Sequence, residues 1–138
     1  MAERPRLLIV DDDRGSAMLL GRMLRDEGFD TEVELDGGAA LDRLAQEPSF
    51  DVVITDFHIP GADGLAIATR ARSSRATIPI FMVTGDPRAV ASAHDSLAEP
   101  VEVVTKPVDY SRLVRHLHAA VAEQAPRRAK TSPISARA

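Results

Sequence analysis

Short apolar runs alternate with helix-period segments along the chain. The run "RLLIV" (6–10) is rich in branched residues and is followed at once by charge, the pattern of a strand buried on both faces. From Arg14 to Glu27 apolar residues return at helical spacing: Ala17, Leu20 and Leu24, with Met18, Leu19 and Met23 widening the stripe. Gly28 is a natural stop. "DTEVEL" (30–35) alternates polar and apolar, as a strand nearer a sheet edge does. Asp36 has the chemistry of an N-cap for a helix carrying Ala40, Leu41 and Leu44. The cycle then repeats. "DVVIT" (51–55) reads as a strand, and the loop "FHIPGADG" leads to a helix from Leu65 to Arg72. "IPIFMVT" (78–84) is the next strand, with Pro79 near its start, where a missing donor is tolerable. Asp86 caps a helix with Pro87 at its first position. "VEVVT" (101–105) is the last strand, and Asp109 caps a final helix carrying Leu113, Val114, Leu117 and Val121.

Five β–α units joined by right-handed crossovers give a parallel sheet covered on both faces, a doubly wound α/β fold. A length of 138 residues suits one such domain. The segment from Glu123 to Ala138 lacks periodicity and is rich in Ala, Ser, Pro and Arg. The expected organisation is a folded unit over 1–122 and a disordered basic tail over 123–138.

Composition narrows the function. The net charge is −4, and the tail contributes +3, so residues 1–122 carry −7. An acidic body offers no electrostatic footprint for direct nucleic-acid binding. No apolar run approaches a membrane span, and the start "MAERPRLLIV" is neither a signal nor a transit peptide, so a cytoplasmic location is expected. The absence of cysteine excludes disulfides and thiolate-held metals.

The chemistry lies where the strands end. In a doubly wound sheet, ligands bind outside the carboxyl ends of the strands. Those ends carry Asp11 and Asp12, then Asp56, Thr84 and Lys106. Two or three carboxylates from neighbouring strand ends suit Mg²⁺, which takes oxygen ligands. A carboxylate beside that ion can attack a phosphoryl group, and a hydroxyl and an ammonium can neutralise the oxygens in transfer. The chain uses 15 Arg but two Lys, so a lysine at the fifth strand end suggests a need for a compact point charge.

"LLIVDDD", "DVVITDFHIPGADGL", "FMVTGD" and "VVTKPV" resemble, in order and spacing, the receiver domain of two-component response regulators, the CheY-like family. The likeness spans residue 6 to about 121. It implies a flavodoxin-like fold with strand order 2-1-3-4-5, Asp56 as phosphoacceptor, and Mg²⁺ held by Asp11, Asp12, Asp56 and the backbone carbonyl of His58. It implies Thr84 and Lys106 as the groups on the phosphoryl oxygens, and a cis bond before Pro107. Asp13 matches no catalytic position and starts the loop or first helix. The implied donor is a sensor histidine kinase or phosphotransfer protein. The implied output is a protein partner on the face of the fourth helix, last strand and last helix.

One position departs from the family. Three residues before the lysine, where Tyr or Phe is usual, stands Val103, so a ring-flip switch is excluded. The leading expectation is a single-domain response regulator with intrinsic phosphorylation and dephosphorylation chemistry, not an enzyme on an external substrate. A phosphorelay intermediate and a degenerate receiver that only binds partners remain open. A haloacid-dehalogenase-type phosphohydrolase is disfavoured, because Gly15 stands where those enzymes have Thr or Val. Beyond Lys106, moreover, only Asp109 and Glu123 are acidic.

Overall fold

Successive side chains of a strand point to opposite faces, so an unbroken apolar strand needs cover on both sides. The computed structural model describes residues 4–46, 50–94, 97 and 100–137, with backbone alone for 92–94 and 125–137. Among the described residues there are five strands: β1 (Arg6–Val10), β2 (Asp30–Glu34), β3 (Val52–Asp56), β4 (Ile80–Thr84) and β5 (Glu102–Thr105). They alternate with α1 (Arg14–Asp26), α2 (Gly37–Gln46), α3 (Gly64–Ser74), α4 (Pro87–His94) and α5 (Tyr110–Arg137). All strand pairings are parallel and the order is β2-β1-β3-β4-β5, as the sequence pattern and its family resemblance imply.

The pleat divides the core in two. Leu8, Val10, Val53 and Met82 face one side, against Ala40 and Leu44 of α2, Ile67 and Ala68 of α3 and Val90 of α4. Leu7, Ile9, Ile54, Phe81 and Val83 face the other, against Leu24 of α1 and Leu113 and Leu117 of α5. β1, β3 and β4 are interior strands, and β3 and β4 are buried throughout.

Helix ends follow local chemistry. The Asp13 carboxylate accepts from the Gly15 and Ser16 amides and from the Ser16 hydroxyl, so this third aspartate is the cap of α1. Asp36 caps α2 through the Ala39 amide, and Asp109 caps α5 through the Arg112 amide. At the far end of α1 the Gly28 amide donates to Arg25 O and the Phe29 amide to Leu24 O. This is a Schellman turn, and Leu24 and Phe29 share a core cluster.

Element bounds shift for identifiable reasons. β3 begins at Val52, because the Asp51 carboxylate leaves the strand pattern to accept from the Arg6 amide (2.8 Å) and to pair with Arg75. β4 begins at Ile80, after Pro79, which has no amide to donate. At the final helix the difference is larger. The sequence reading ends it near 122, yet the backbone continues helical to Arg137. Gln124 is buried, accepting from Arg75 (2.9 Å) and donating to Thr77 O (3.0 Å), so the packed body reaches at least this residue. Its polar side chain masks that burial in a hydropathy pattern.

Gly28 has φ of +103°, and a Cβ there would meet nothing within 4 Å, so any cost of a side chain is purely conformational. Gly28→Ala is expected to lower the unfolding free energy by about 1–2 kcal/mol, measured by urea denaturation, with the slope of the transition unchanged.

Candidate functional site

The parallel sheet brings the ends of β1, β3, β4 and β5 to one rim. Asp56 is the last residue of β3 and is 7% exposed, so its carboxylate sits at the edge of the core rather than in water. Asp11 and Asp12 follow directly on β1, whose last residue, Val10, is in register with Thr55. One carboxylate oxygen from each of Asp11, Asp12 and Asp56 lies within 4.8 Å of the others. Asp11 is half-buried and Asp12 is exposed. The opening between them belongs to a cavity of about 450 Å³, walled also by Lys106, Pro107 and the apolar side chains of Leu20, Met23 and Leu113.

The Lys106 Nζ stands 3.6 Å from Asp56 Oδ2. Its side chain is half-exposed, so the ammonium is partly solvated and does not by itself neutralise the cluster. The Lys106 amide donates to Thr84 O, and the Lys106–Pro107 peptide bond is cis. Thr84 ends β4 and is buried. Its Oγ accepts from the Asp86 amide (2.9 Å) and donates to Asp86 O (3.2 Å), forming a turn at the head of α4.

Burial pushes the Asp56 carboxyl up to about 7; the adjacent Asp11 charge and a hydrogen bond shared with Asp11 add to this, against the opposing pull of Lys106. Such a group is about half protonated at neutral pH and gives up its proton to an entering divalent cation. The donor set fits a hard divalent cation, being all carboxylate oxygen at a solvent-reachable rim. Mg²⁺ binds oxygen at about 2.1 Å, so two of its ligands stand no more than about 4.2 Å apart. Bringing the widest pair within that limit takes a contraction of no more than about 0.6 Å, and ligands at adjacent corners close further.

His58 lies two residues beyond Asp56, exposed, with its ring edge-on to Phe57 at 4.8 Å. The loop that carries it is held at both ends. The Gly64 amide donates to Phe57 O (2.8 Å), and Pro60 O accepts from the Gly37 amide at the head of α2 (2.7 Å). Asp63 caps α3 through the Ala66 amide. Val103, on β5, is partly buried against the core beneath α4.

Five of the residues singled out in the sequence thus share one rim: Asp11, Asp12, Asp56, Lys106 and Pro107. Thr84 is one strand over with its hydroxyl engaged. The Asp63 cap and the Gly37 contact escaped the sequence reading. "GADGL" carries the Asp-Gly signal for the first. The second is tertiary and leaves only the bare "DGG" as a trace.

The response regulator receiver domain family matches residues 7–118. The chain belongs to this family. As a receiver it is similar to the response regulator MprA of Mycobacterium sp. (strain KMS), with 31% identity over 136 residues, 93% of this chain and 55% of that protein. With the MprA of Mycolicibacterium vanbaalenii it shares 36% over 96 residues, 70% of this chain and 38% of that protein. The receiver thus spans about half or less of the curated relatives it matches. Among solved structures, the chemotaxis response regulator CheY4 of Vibrio cholerae superposes with a TM-score of 0.73 at 27% identity, covering 85% of this chain and 98% of that one. The signal receiver domain of an HD domain-containing protein from Pseudomonas fluorescens Pf-5 gives 0.81 at 26%, covering 93% and 94%. Among the described residues no helix is long and apolar enough to cross a membrane.

The receiver's acidic rim has a pH signature. Because the folded Asp56 carboxyl binds its proton more tightly than the unfolded chain does, stability is lost as pH rises from its ordinary 3.8 through about 7. Asp56→Asn is therefore expected to stabilise the metal-free receiver at pH 8 by about 1–3 kcal/mol and to change little near pH 4. Added Mg²⁺ is expected to raise the melting temperature of the wild type clearly at pH 8 and hardly at pH 5, as followed by thermal denaturation.

Proposed function

We propose that this receiver takes a phosphoryl group from a phosphohistidine of a sensor kinase or phosphotransfer protein onto Asp56, and that the transfer changes what the domain binds. The observation that carries this reading is the placement of Asp56: a buried strand-end carboxylate with Asp11 and Asp12 within 4.8 Å on one side and an ammonium at 3.6 Å on the other. The arrangement suits a nucleophile whose target arrives with its own negative charge.

In this reading an oxygen of the ionised Asp56 carboxylate attacks phosphorus as the phosphorus–nitrogen bond breaks, and the histidine, already protonated on its other ring nitrogen, leaves as neutral imidazole. Asp11, Asp12, Asp56 and the His58 carbonyl would hold Mg²⁺, which when bound neutralises charge on the phosphoryl oxygens. Lys106 supplies the second positive charge. Its single ammonium can follow one oxygen, whereas a guanidinium would demand a planar pair. The buried position of Asp56 leaves access from the cavity side, so donor and later water approach over the same opening.

Thr84 carries the message outward. To donate to a phosphoryl oxygen its hydroxyl must give up its bond to Asp86 O, and turning toward the rim draws it from the Asp86 amide, so the turn at the head of α4 loosens as the rim gains a hydrogen bond. Val103 lies beneath that helix as a small aliphatic contact, so displacement of the Thr84–Asp86 turn takes the place of an inward-swinging ring. The partner surface is assigned to α4, β5 and α5, whether the partner is an output protein or the next carrier in a phosphorelay. The chemistry belongs to residues 1–122, and none of it is assigned to the basic segment 123–138.

Incubation with Mg²⁺ and acetyl phosphate is expected to add one phosphoryl mass to the intact wild type and none to Asp56→Asn. An unlabelled wild type, with a control receiver labelled alongside, would leave only the degenerate, binding-only receiver. Steady turnover of a generic phosphate ester would instead mark a phosphohydrolase. Thr84→Ala is expected to accept the phosphoryl group still, while the phosphorylation-dependent change in amide exchange over residues 85–91 falls by more than half.

A further inference from the structure

The first turn of α2 has no place in the phosphoryl chemistry described above, yet it touches the loop that follows Asp56. Gly37 is buried at the start of that helix. A Cβ on it would stand 2.3 Å from Ala62 O, 2.5 Å from Ala62 N and 2.8 Å from Ala62 Cα. All three atoms are backbone, so no rotamer change relieves the clash and the loop itself must move. The Gly37 amide, one of the amides that a helix start leaves without an internal partner, donates to Pro60 O at 2.7 Å. Gly61 comes in from the other side with φ of +92°, and a Cβ on it would lie 2.9 Å from the Gly38 amide nitrogen. Backbone thus rests on backbone between residues 60–62 and the head of α2.

The other end of the loop is pinned at Gly64, where a Cβ would lie 2.9 Å from Asp56 O and 2.4 Å from the Met82 sulfur. His58 lies between Phe57, whose carbonyl accepts from the Gly64 amide, and Pro60, whose carbonyl accepts from the Gly37 amide. We infer that Gly37 is a positioning residue for the phosphoacceptor site: by seating Pro60 and Ala62 against α2, it sets where the His58 carbonyl stands relative to Asp56. The inference rests on the reading of His58 O as a ligand to Mg²⁺. Gly37 touches neither metal nor phosphoryl group and acts only through the loop. Residues that orient ligands in this way are worth roughly 10–100-fold in metal affinity.

The neighbouring glycine is a built-in control. A Cβ on Gly38 would meet only a side-chain atom, the Asp36 carboxylate, at 3.3 Å, and no loop backbone. Leu44, buried on the inner face of α2, supplies a second control, because Leu44→Ala destabilises the same helix through a cavity away from the loop.

The experiment is Mg²⁺ titration by calorimetry at pH 8, on protein shown by urea denaturation to be fully folded at the assay temperature. Gly37→Ala is expected to weaken Mg²⁺ binding roughly tenfold or more, and to slow labelling by acetyl phosphate at non-saturating Mg²⁺. Gly38→Ala and Leu44→Ala are expected to keep wild-type affinity, the second despite its lower stability. Should Gly37→Ala not fold, Gly61→Ala makes the same test from the loop side. Wild-type affinity in the folded glycine variant, or an equal loss in Leu44→Ala, overturns the inference. A wild type that binds no Mg²⁺ would overturn the reading of the rim as a metal site, and this inference with it. A wild type that binds while Gly37→Ala also binds normally would overturn this inference alone.

Discussion

Carboxylates repel one another, and the repulsion grows as water is withdrawn from around them. Three such groups meet at the ends of β1 and β3, one of them at the edge of the core. The rest of the molecule can be understood as the frame that holds them there. Two apolar layers, one on each face of the sheet, fix the strands so that their ends cannot splay. In the absence of a divalent cation, a proton on Asp56 and the neighbouring ammonium relieve part of the strain. A site so arranged is under electrostatic tension at rest, and it yields energy to whatever positive charge enters it.

That frame was legible in the chain because its signals are local. Apolar runs of four or five residues, each closed by a charged or hydroxyl residue, mark the strands and their active ends together. The caps at Asp36 and Asp109 follow from side chains that bond their own backbone a few residues on. What escaped is what several distant segments build jointly. Asp51 reads as the first residue of a strand, and only the fold discloses that it accepts from Arg6 and pairs with Arg75. Gln124 reads as part of a polar tail, and only the fold buries it. Asp13, by contrast, matches no catalytic position in the sequence and is placed there at the start of the loop or first helix, and its carboxylate is indeed turned to the amides of α1.

The rim is tied to the helix heads by short hydrogen bonds. Thr84 bonds the chain at the head of α4, and Pro60 bonds the chain at the head of α2. At α2 a helix amide without an internal partner is satisfied by a loop carbonyl, and at α4 the amide just before the helix is satisfied by the hydroxyl of the last residue of β4. Such links are short and stiff, and they tie helix position to loop position without a long side chain to absorb the motion. With Val103 in place of a ring on β5, these short links join the rim to the heads of α2 and α4.

The strand starts form a second pole, remote from the acids. Arg6, Asp51, Arg75 and Gln124 are laced together there, and Arg4 bonds the carbonyls that close α1. The polypeptide therefore enters the sheet, and α5 completes its packing, on the side turned away from the acidic opening. A molecule so polarised presents itself one way round. Tethered to a bead, a surface or a fluorophore through the segment before β1, it would leave the opening facing solution, unshielded by its own attachment.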